Sequence, residues 1–256
     1  MQQPRFPIQV FETLTSTNDS ILEAGESTAP EGTTHIALTQ TRGRGRSDHS
    51  WWSPPGAGLW MSTLLRPSRT SADWGGISLL AGAAVKSALA LLGVQGIDLY
   101  WPNDLQVGGR KLGGILGEVR ARGDRAWVAL GIGINIDLSS ERLRASMPRE
   151  LESIVISLVE AGSPRTRIPE EIADAILGSF WPLYERFQAG EKVPALVGSA
   201  LAHSGRRVEV KVPGQPTWRG LVEGLREDGA LAVRTLDRKP EVVHVTGGEV
   251  IYEDSP

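Results

Sequence analysis

Two apolar, β-branched runs, Thr34 to Gln40 and Leu59 to Leu65, are separated by Thr41 to Gly58, which carries glycines, prolines and charges but no period. The flanking runs read as strands. A loop of that length inside a compact domain is either functional or disordered. The chain must therefore build a rigid sheet that carries this loop. At the loop's start stands Gln40-Thr41-Arg42-Gly43-Arg44-Gly45-Arg46. Glycine lets the backbone approach a ligand, and arginine offers paired donors that match phosphate or carboxylate. Taken alone, the pattern also suits a solvated or RNA-binding arm. Its shortness and its place between two core strands favour a folded anion site. Trp51-Trp52-Ser53-Pro54 follows. Neighbours on an extended chain point to opposite faces, so one indole is free to pack in the core and the other to face a ligand.

The remaining segments supply the scaffold. Val10 to Leu14 reads as a strand, and Ser16-Thr17-Asn18-Asp19 as the start of a helix. Ile77 to Leu92 is apolar on most faces and predicts a buried helix closed by Gly93. Ile97 to Trp101 predicts a strand stopped by Pro102-Asn103-Asp104. A Gly108-Gly109 turn then makes a hairpin of Leu105 to Val107 with Arg110 to Leu112. Ile115 to Arg120 and Ala126 to Ile136 predict two more strands, turned at Gly123-Asp124. Glu150 to Ala161 and Glu170 to Gln188 predict helices, the second disturbed by Pro182. From Arg206 onward, short alternating runs at regular spacing suggest a small β-barrel. The expected organisation is two domains, 1–200 and 201–256.

Composition narrows the chemistry. The 256 residues are 40% hydrophobic and include no cysteine, which leaves no disulfide, catalytic thiol or cysteine-ligated zinc. That usage fits a reducing cytoplasm. A net charge of -3 provides no overall field toward DNA. The longest apolar stretch is broken by Lys86 and Ser87 and is too short to span a bilayer, so no membrane association is expected. His35, His49, His203 and His244 are scattered without metal-ligand spacing. Gly131-Ile132-Gly133-Ile134-Asn135 lacks the third glycine of a dinucleotide fingerprint, although Asn135 is placed to read a base edge. Lys111 by itself reads as a surface charge. The neighbouring Gly113 and Gly114, embedded in a predicted strand, signal close backbone approach and favour a point charge for phosphate or carboxylate.

The ordered set resembles the biotin protein ligase family. It comprises Ser16-Thr17-Asn18, Gly43-Arg44-Gly45-Arg46, Trp51 to Pro54, Leu59-Trp60-Met61-Ser62, Trp101-Pro102-Asn103-Asp104, Arg110-Lys111-Leu112-Gly113-Gly114-Ile115-Leu116 and Gly131 to Asn135. The resemblance covers about residues 10 to 136, with a C-terminal segment similar to that family's SH3-like domain. It implies an α+β fold: a mixed-sheet catalytic domain of the biotin/lipoate ligase type, followed by a small SH3-like β-barrel. It implies attack of biotin's carboxylate on the α-phosphate of ATP, then transfer of biotin to a lysine of a biotin carboxyl carrier domain. Lys111, Arg46 and Asp104 would be catalytic, Lys111 touching both the biotin carboxylate and the α-phosphate. Ser16, Thr17, Asn18 and Gln40 would meet the ureido head. Trp60 would wall the biotin pocket, with Arg44, Gly45, Arg46, Lys111 and the backbone of Gly113, Gly114 and Ile115 beside it. ATP would meet Arg44, Arg46, Trp51, Asn103, Lys111 and Asn135. Magnesium would enter on the ATP phosphates without a side-chain metal site.

The chain departs from the family at Tyr100, which replaces a usual basic residue, and at Ser47-Asp48-His49, where many members carry another arginine. A titratable imidazole in place of a permanent cation predicts weaker, pH-sensitive ATP binding. The catalytic pattern begins near residue 10, which predicts a ligase without the helix-turn-helix repressor domain of some relatives, and hence no DNA partner. Relatives leave both a monomer and a sheet-edge homodimer open. Three rival readings stand beside this one: a lipoate protein ligase, a nucleic-acid-binding protein using the arginine loop, and an inactive biotin-binding regulator.

Overall fold

A computed structural model describes residues 6–47, 49–164, 168–201 and 204–253. Its first part is a seven-stranded sheet: β1 (Ile8–Leu14), β2 (Thr34–Gln40), β3 (Gly58–Leu65), β4 (Ile97–Tyr100), β5 (Asp104–Val107), β6 (Arg110–Arg122) and β7 (Arg125–Asn135). The spatial order is β1-β2-β3-β7-β6-β5-β4. β1 and β2 run parallel, whereas the other pairs are antiparallel, so the sheet is mixed as expected. Among the described residues five helices accompany it: α1 (Thr17–Glu26), α2 (Gly76–Leu91), α3 (Glu141–Ser146), α4 (Pro169–Gln188) and α5 (Val193–Val197).

Strand alternation explains where the site lies. On β7, Val128, Leu130, Ile132 and Ile134 join the core formed with α2 and α4. The intervening side chains point to the opposite face. There, Trp127 and Ala129 pack with Ile21 and Leu22 of α1 and with Leu64 of β3. α1 covers only that end of the face. Beyond it the same face continues with Gly131, Gly133 and Asn135 on β7 and with Ser62 and Trp60 on β3, all buried or nearly so. Two glycines in a row of alternate positions leave a hollow in the sheet surface, and the aperiodic loop crosses above it.

The second part is a five-stranded antiparallel sheet: β8 (Arg207–Lys211), β9 (Trp218–Leu225), β10 (Leu231–Thr235), β11 (Val242–Val245) and β12 (Glu249–Tyr252), ordered β11-β10-β9-β8-β12. Among the described residues no ladder joins β11 to β12, so the predicted barrel is an open, SH3-like sheet. It packs against the first part: the Trp101 indole donates to the Gly229 carbonyl at 3.0 Å, Arg206 approaches the Tyr100 hydroxyl at 3.2 Å, and the rings of Tyr100 and Tyr252 meet edge to face.

Two expectations need correction. Arg110 to Leu112 and Ile115 to Arg120 are not separate strands but parts of the single strand β6, because Gly113 and Gly114 keep their ladder to Ile134 and Gly133. Residues 150–161 are not a helix. Leu151, Ile154, Val155 and Leu158 have helical spacing, yet only a 3-10 turn at Arg149–Leu151 forms. The backbone that follows bonds instead to the sheet: Lys111 N–H to Ile154 O at 2.7 Å, Ile156 N–H to Lys111 O at 3.0 Å and Leu158 N–H to Asn135 O at 2.9 Å. Tertiary partners outweigh a weak local preference. α4, by contrast, runs through Pro182, at the cost of the bond that its missing N–H would have made. Among the described residues no helix is long and apolar enough to cross a membrane.

Candidate functional site

The hollow opens into a cleft of about 910 Å³ between the two sheets. It is lined by the start of α1, the end of β2, the loop between β2 and β3, the β4–β5 connection, β6, β7, the 151–155 segment, and Lys211 to Pro213 and Gly248 to Tyr252 of the second sheet. Of the residues expected to form the site, all but Gly113 line it. Gly113 lies beneath, in the β6–β7 ladder, where a Cβ would stand 2.6 Å from the Gly133 carbonyl oxygen.

The loop is folded rather than a loose arm. Arg44 bridges to Ser50, Gly45 N–H reaches His49 O at 2.7 Å, and Trp51 N–H reaches Gly43 O at 2.9 Å. Gly43 is required where it stands, because a Cβ would lie 2.5 Å from the Trp51 carbonyl oxygen. Asp48 lies outside the described residues. His49 lines the cleft.

One end of the cleft is a polar cluster. Gln40 Oε1 accepts from the Thr17 N–H at 2.8 Å and lies 3.2 Å from the Thr17 hydroxyl, and Gln40 Nε2 donates to Ser53 Oγ at 2.9 Å. Ser62 Oγ lies 2.7 Å from Thr17 Oγ1 and donates to Asn18 Oδ1 at 2.5 Å. Asn18 Nδ2 donates to Leu116 O at 3.2 Å and Glu118 Oε2 at 2.5 Å. Ser16 caps α1 through its backbone and is buried beside them. Gly131 makes room for this cluster: a Cβ there would lie 2.4 Å from Asn18 Oδ1. Small polar side chains holding donors and acceptors at fixed positions suit a compact ligand head with both kinds of group.

The other end carries charge. Lys111 Nζ and Asp104 Oδ1 pair at 2.8 Å. The Lys111 ammonium also lies 5.5 Å from the Trp51 ring centre, within cation–π range. Arg46 donates to Asn103 Oδ1 and to the Gly248 carbonyl of the second sheet, both at 3.3 Å. Burial pulls the Arg46 guanidinium below its ordinary value, and the Asp104 carboxylate opposes that pull. Asn103 is tied to β6 in both directions, Nδ2 to Ile115 O at 2.8 Å and Ile115 N–H back to its carbonyl at 3.0 Å. Asn135 lines the cleft, but its carboxamide donates to the carbonyls of Lys111 and Ile156, clipping the 151–156 segment to β6. The Trp51 ring lies over Gly114 and Gly133, where an added Cβ would stand 3.3 and 2.9 Å from it. It meets Trp60 edge to face at 6.2 Å. The indole N–H groups of both are buried and find no partner among the described residues.

Arg44 differs from the other two cations. Its guanidinium makes a two-pronged pair with Asp19 at 2.8 and 2.7 Å, and Glu118 accepts from it at 3.0 Å. The hydrogen bond from Arg44 holds the Asp19 carboxyl below its ordinary value of 3.8, against desolvation. A depressed folded-state value stabilises the fold above the unfolded value, and that contribution is lost as pH falls through the folded one. Acid melting of the native protein should therefore steepen below about pH 4, and Asp19→Asn should flatten that limb while leaving the neutral-pH melting temperature slightly lower. Parallel acid limbs for the two proteins would contradict this.

Sequence reasoning missed Asp19, Ser62 and Glu118 as parts of the site. Asp19 closes the helix-start run and Ser62 the Leu59 to Ser62 run, where residue type alone indicates no role. Glu118 carried no signal at all, being one charge among several along β6.

Comparison with known proteins agrees with this geometry. Residues 10–135 match the model of the Biotin/lipoate A/B protein ligase family, and residues 203–252 that of the Biotin protein ligase C terminal domain. The chain is 38% identical over 156 residues to the bifunctional ligase/repressor BirA of Bacillus subtilis, covering 60% of this chain and 46% of that one. It is 31% identical over 248 residues to the biotin–[acetyl-CoA-carboxylase] ligase of Mycobacterium tuberculosis, covering 93% and 85%. The chain thus spans about half the length of BirA relatives. In fold it resembles the biotin protein ligase from Aquifex aeolicus in complex with biotin and ATP, with a TM-score of 0.77 at 23% identity, covering 96% of this chain and 98% of that one. The chain belongs to the biotin protein ligase family.

Proposed function

We propose that this protein is an ATP-dependent biotin protein ligase that forms biotinyl-AMP and transfers biotin to a lysine of a biotin carboxyl carrier domain. The observation that carries the reading is one cleft with a compact polar cluster at one end and Lys111, Arg46 and an indole seated on two glycines at the other. In the first step a biotin carboxylate oxygen bonds to the α-phosphorus of ATP, the Pα–O–Pβ bond breaks, and pyrophosphate leaves. Joining two anions needs fixed positive charge where negative charge gathers. Lys111 and Arg46 supply it. Arg44 adds little net charge, because two carboxylates already face it.

In the second step the acceptor amine bonds to the acyl carbon, the acyl C–O bond breaks, AMP leaves, and the amine's proton goes to a base. Asp104, held by Lys111 at the cleft wall, is that base. Trp51 stacks on adenine, Trp60 walls the biotin pocket, and the Thr17, Asn18 and Gln40 groups, with Ser16, receive the ureido head. Asn103 and Asn135 fix the walls against which ATP lies. Magnesium arrives bound to the ATP phosphates, and the protein acts where its acceptor is made, in the cytoplasm.

The discriminating experiment incubates the protein with ATP and either biotin or lipoate, then identifies the acyl-adenylate by mass spectrometry. Biotinyl-AMP is expected, and biotin should appear on an added carrier domain. Lipoyl-AMP in its place would make the protein a lipoate ligase. Binding of biotin without any adenylate would make it an inactive regulator.

A further inference from the structure

We infer that Glu118 is a positioning residue that sets the donor and acceptor polarity of the polar end of the cleft, and through it the selection of a ureido head. The inference rests on the biotin ligase reading. Glu118 does not line the cleft; it acts through two side chains that do. Its Oε2 accepts from Asn18 Nδ2 at 2.5 Å and from Arg44 Nη2 at 3.0 Å, and its Oε1 accepts from Arg44 at 3.2 Å.

A carboxamide alone presents nitrogen or oxygen with equal ease, since the two ends have the same shape. An ionised carboxylate only accepts. Glu118, with the Leu116 carbonyl that accepts from the same nitrogen at 3.2 Å, therefore holds the Asn18 NH2 on its side and turns the Asn18 oxygen toward Ser62. The Ser62 hydroxyl must then donate to Asn18, at 2.5 Å, which turns its lone pairs toward Thr17 Oγ1 at 2.7 Å. The Thr17 hydroxyl then gives its one proton to Ser62, and Gln40 Oε1 is held by the Thr17 backbone N–H at 2.8 Å. The direction of every bond from Asn18 through Ser62 to the Thr17 hydroxyl is thus fixed from one end, while a backbone N–H orients the Gln40 carboxamide. The same carboxylate helps Asp19 hold the Arg44 guanidinium in place. One guanidinium and two carboxylates sum to one negative charge, so the assembly orients the site rather than attracting an anion. A cyclic urea has two N–H donors beside one carbonyl acceptor. A site with fixed polarity distinguishes it from the neutral carbamate analogue in which one ureido N–H is replaced by oxygen, a donor exchanged for an acceptor.

The test uses Glu118→Gln, which keeps shape and bonding capacity but can donate as well as accept. The Michaelis constants for biotin, the carbamate analogue and ATP are measured, with melting temperature alongside. Loss of a charge-assisted hydrogen bond predicts a rise in the biotin constant of roughly tenfold, an ATP constant within about twofold, and a preference for biotin over the carbamate analogue narrowed by at least about fivefold. Glu118→Asp, which only accepts, should recover part of that preference. A purely structural role would lower the melting temperature and leave the preference unchanged, and that result overturns the inference. If the unmutated protein accepts no ureido acid, the ligase reading fails instead. The positioning claim is then read without ligand, from hydrogen exchange at the Asn18 side-chain NH2. Slow exchange that becomes fast in Glu118→Gln supports it, and equal rates refute it.

Discussion

Lys111→Ala is expected to lower the rate of adenylate formation by about three orders of magnitude while the protein stays folded. The side chain pairs with Asp104 at 2.8 Å, but a third of it is exposed, so the pair contributes at most about 1 kcal/mol to the fold. The backbone of Lys111 carries the structural load through its bonds to Ile154 and Ile156, and alanine keeps both. In the proposed reaction the ammonium faces a carboxylate and a phosphate whose negative charges are brought together as they join. Removing one preorganised donor from such a site costs roughly 3–4 kcal/mol, or two to three factors of ten, in the chemical step. The unpaired Asp104 left behind adds repulsion toward both anions, which places the loss at the upper end. Lys111→Arg should not restore the rate, because a planar fork cannot serve as a compact point charge between Asp104 and the Trp51 ring. The measurement is pyrophosphate release under single-turnover conditions, with a melting curve as the folding control. Residual release within tenfold of the native rate would remove Lys111 from the centre of the mechanism.

Much of the fold was legible because its local signals agree with its tertiary packing. Thr34 to Gln40 is β-branched and becomes β2 over those same residues. Gly108-Gly109 turns the β5–β6 hairpin with φ values of 56° and 75°, a region that other residues rarely enter. The stretch 150–161 misled because its apolar spacing serves two masters. Of the helically spaced residues only Leu158 is buried while Ile154 is half exposed, and the segment's backbone is claimed by β6 and β7. No periodicity reports a partner some forty residues upstream in sequence.

The site was legible where a motif demands unusual backbone or charge, as in Gly43 to Arg46 and Arg110 to Ile115. It was hidden where an ordinary residue does its work through a partner. Arg44 reads from the sequence as a cation beside biotin and the ATP phosphates. Only the structure shows Asp19 and Glu118, distant in sequence from each other and from it, closing around that guanidinium. Nor did any pattern indicate that Gly248 of the second sheet would hold Arg46, since the two stand 202 positions apart.

Adjacent glycines on β6 should fail in opposite ways. Successive side-chain positions on a strand face opposite sides of the sheet. At Gly113 a Cβ would stand 2.6 Å from both the Gly133 carbonyl oxygen and the Ile134 side chain, inside the ladder. Neither can retreat without opening the β6–β7 pairing that runs the length of both strands. Gly113→Val therefore overpacks the core, at about 1–3 kcal/mol or more, and at roughly 2–4 °C per kcal/mol for a chain of this size the melting temperature should fall by about 5–10 °C. At Gly114 the nearest atoms belong to the Trp51 ring, 3.3 Å away, and to the Lys111 stem at 3.6 Å. Valine there pushes the indole off its seat and crowds the lysine, but it meets a cleft rather than a core. Gly114→Val should melt within about 2 °C of the native protein and still lose most of its ATP binding and nearly all adenylate formation. Differential scanning calorimetry paired with ATP titration separates the two outcomes. Should both variants lose stability together, the hollow over β6 and β7 would be a packing feature of the sheet, and the Lys-Leu-Gly-Gly run would owe its second glycine to the fold instead of to the nucleotide.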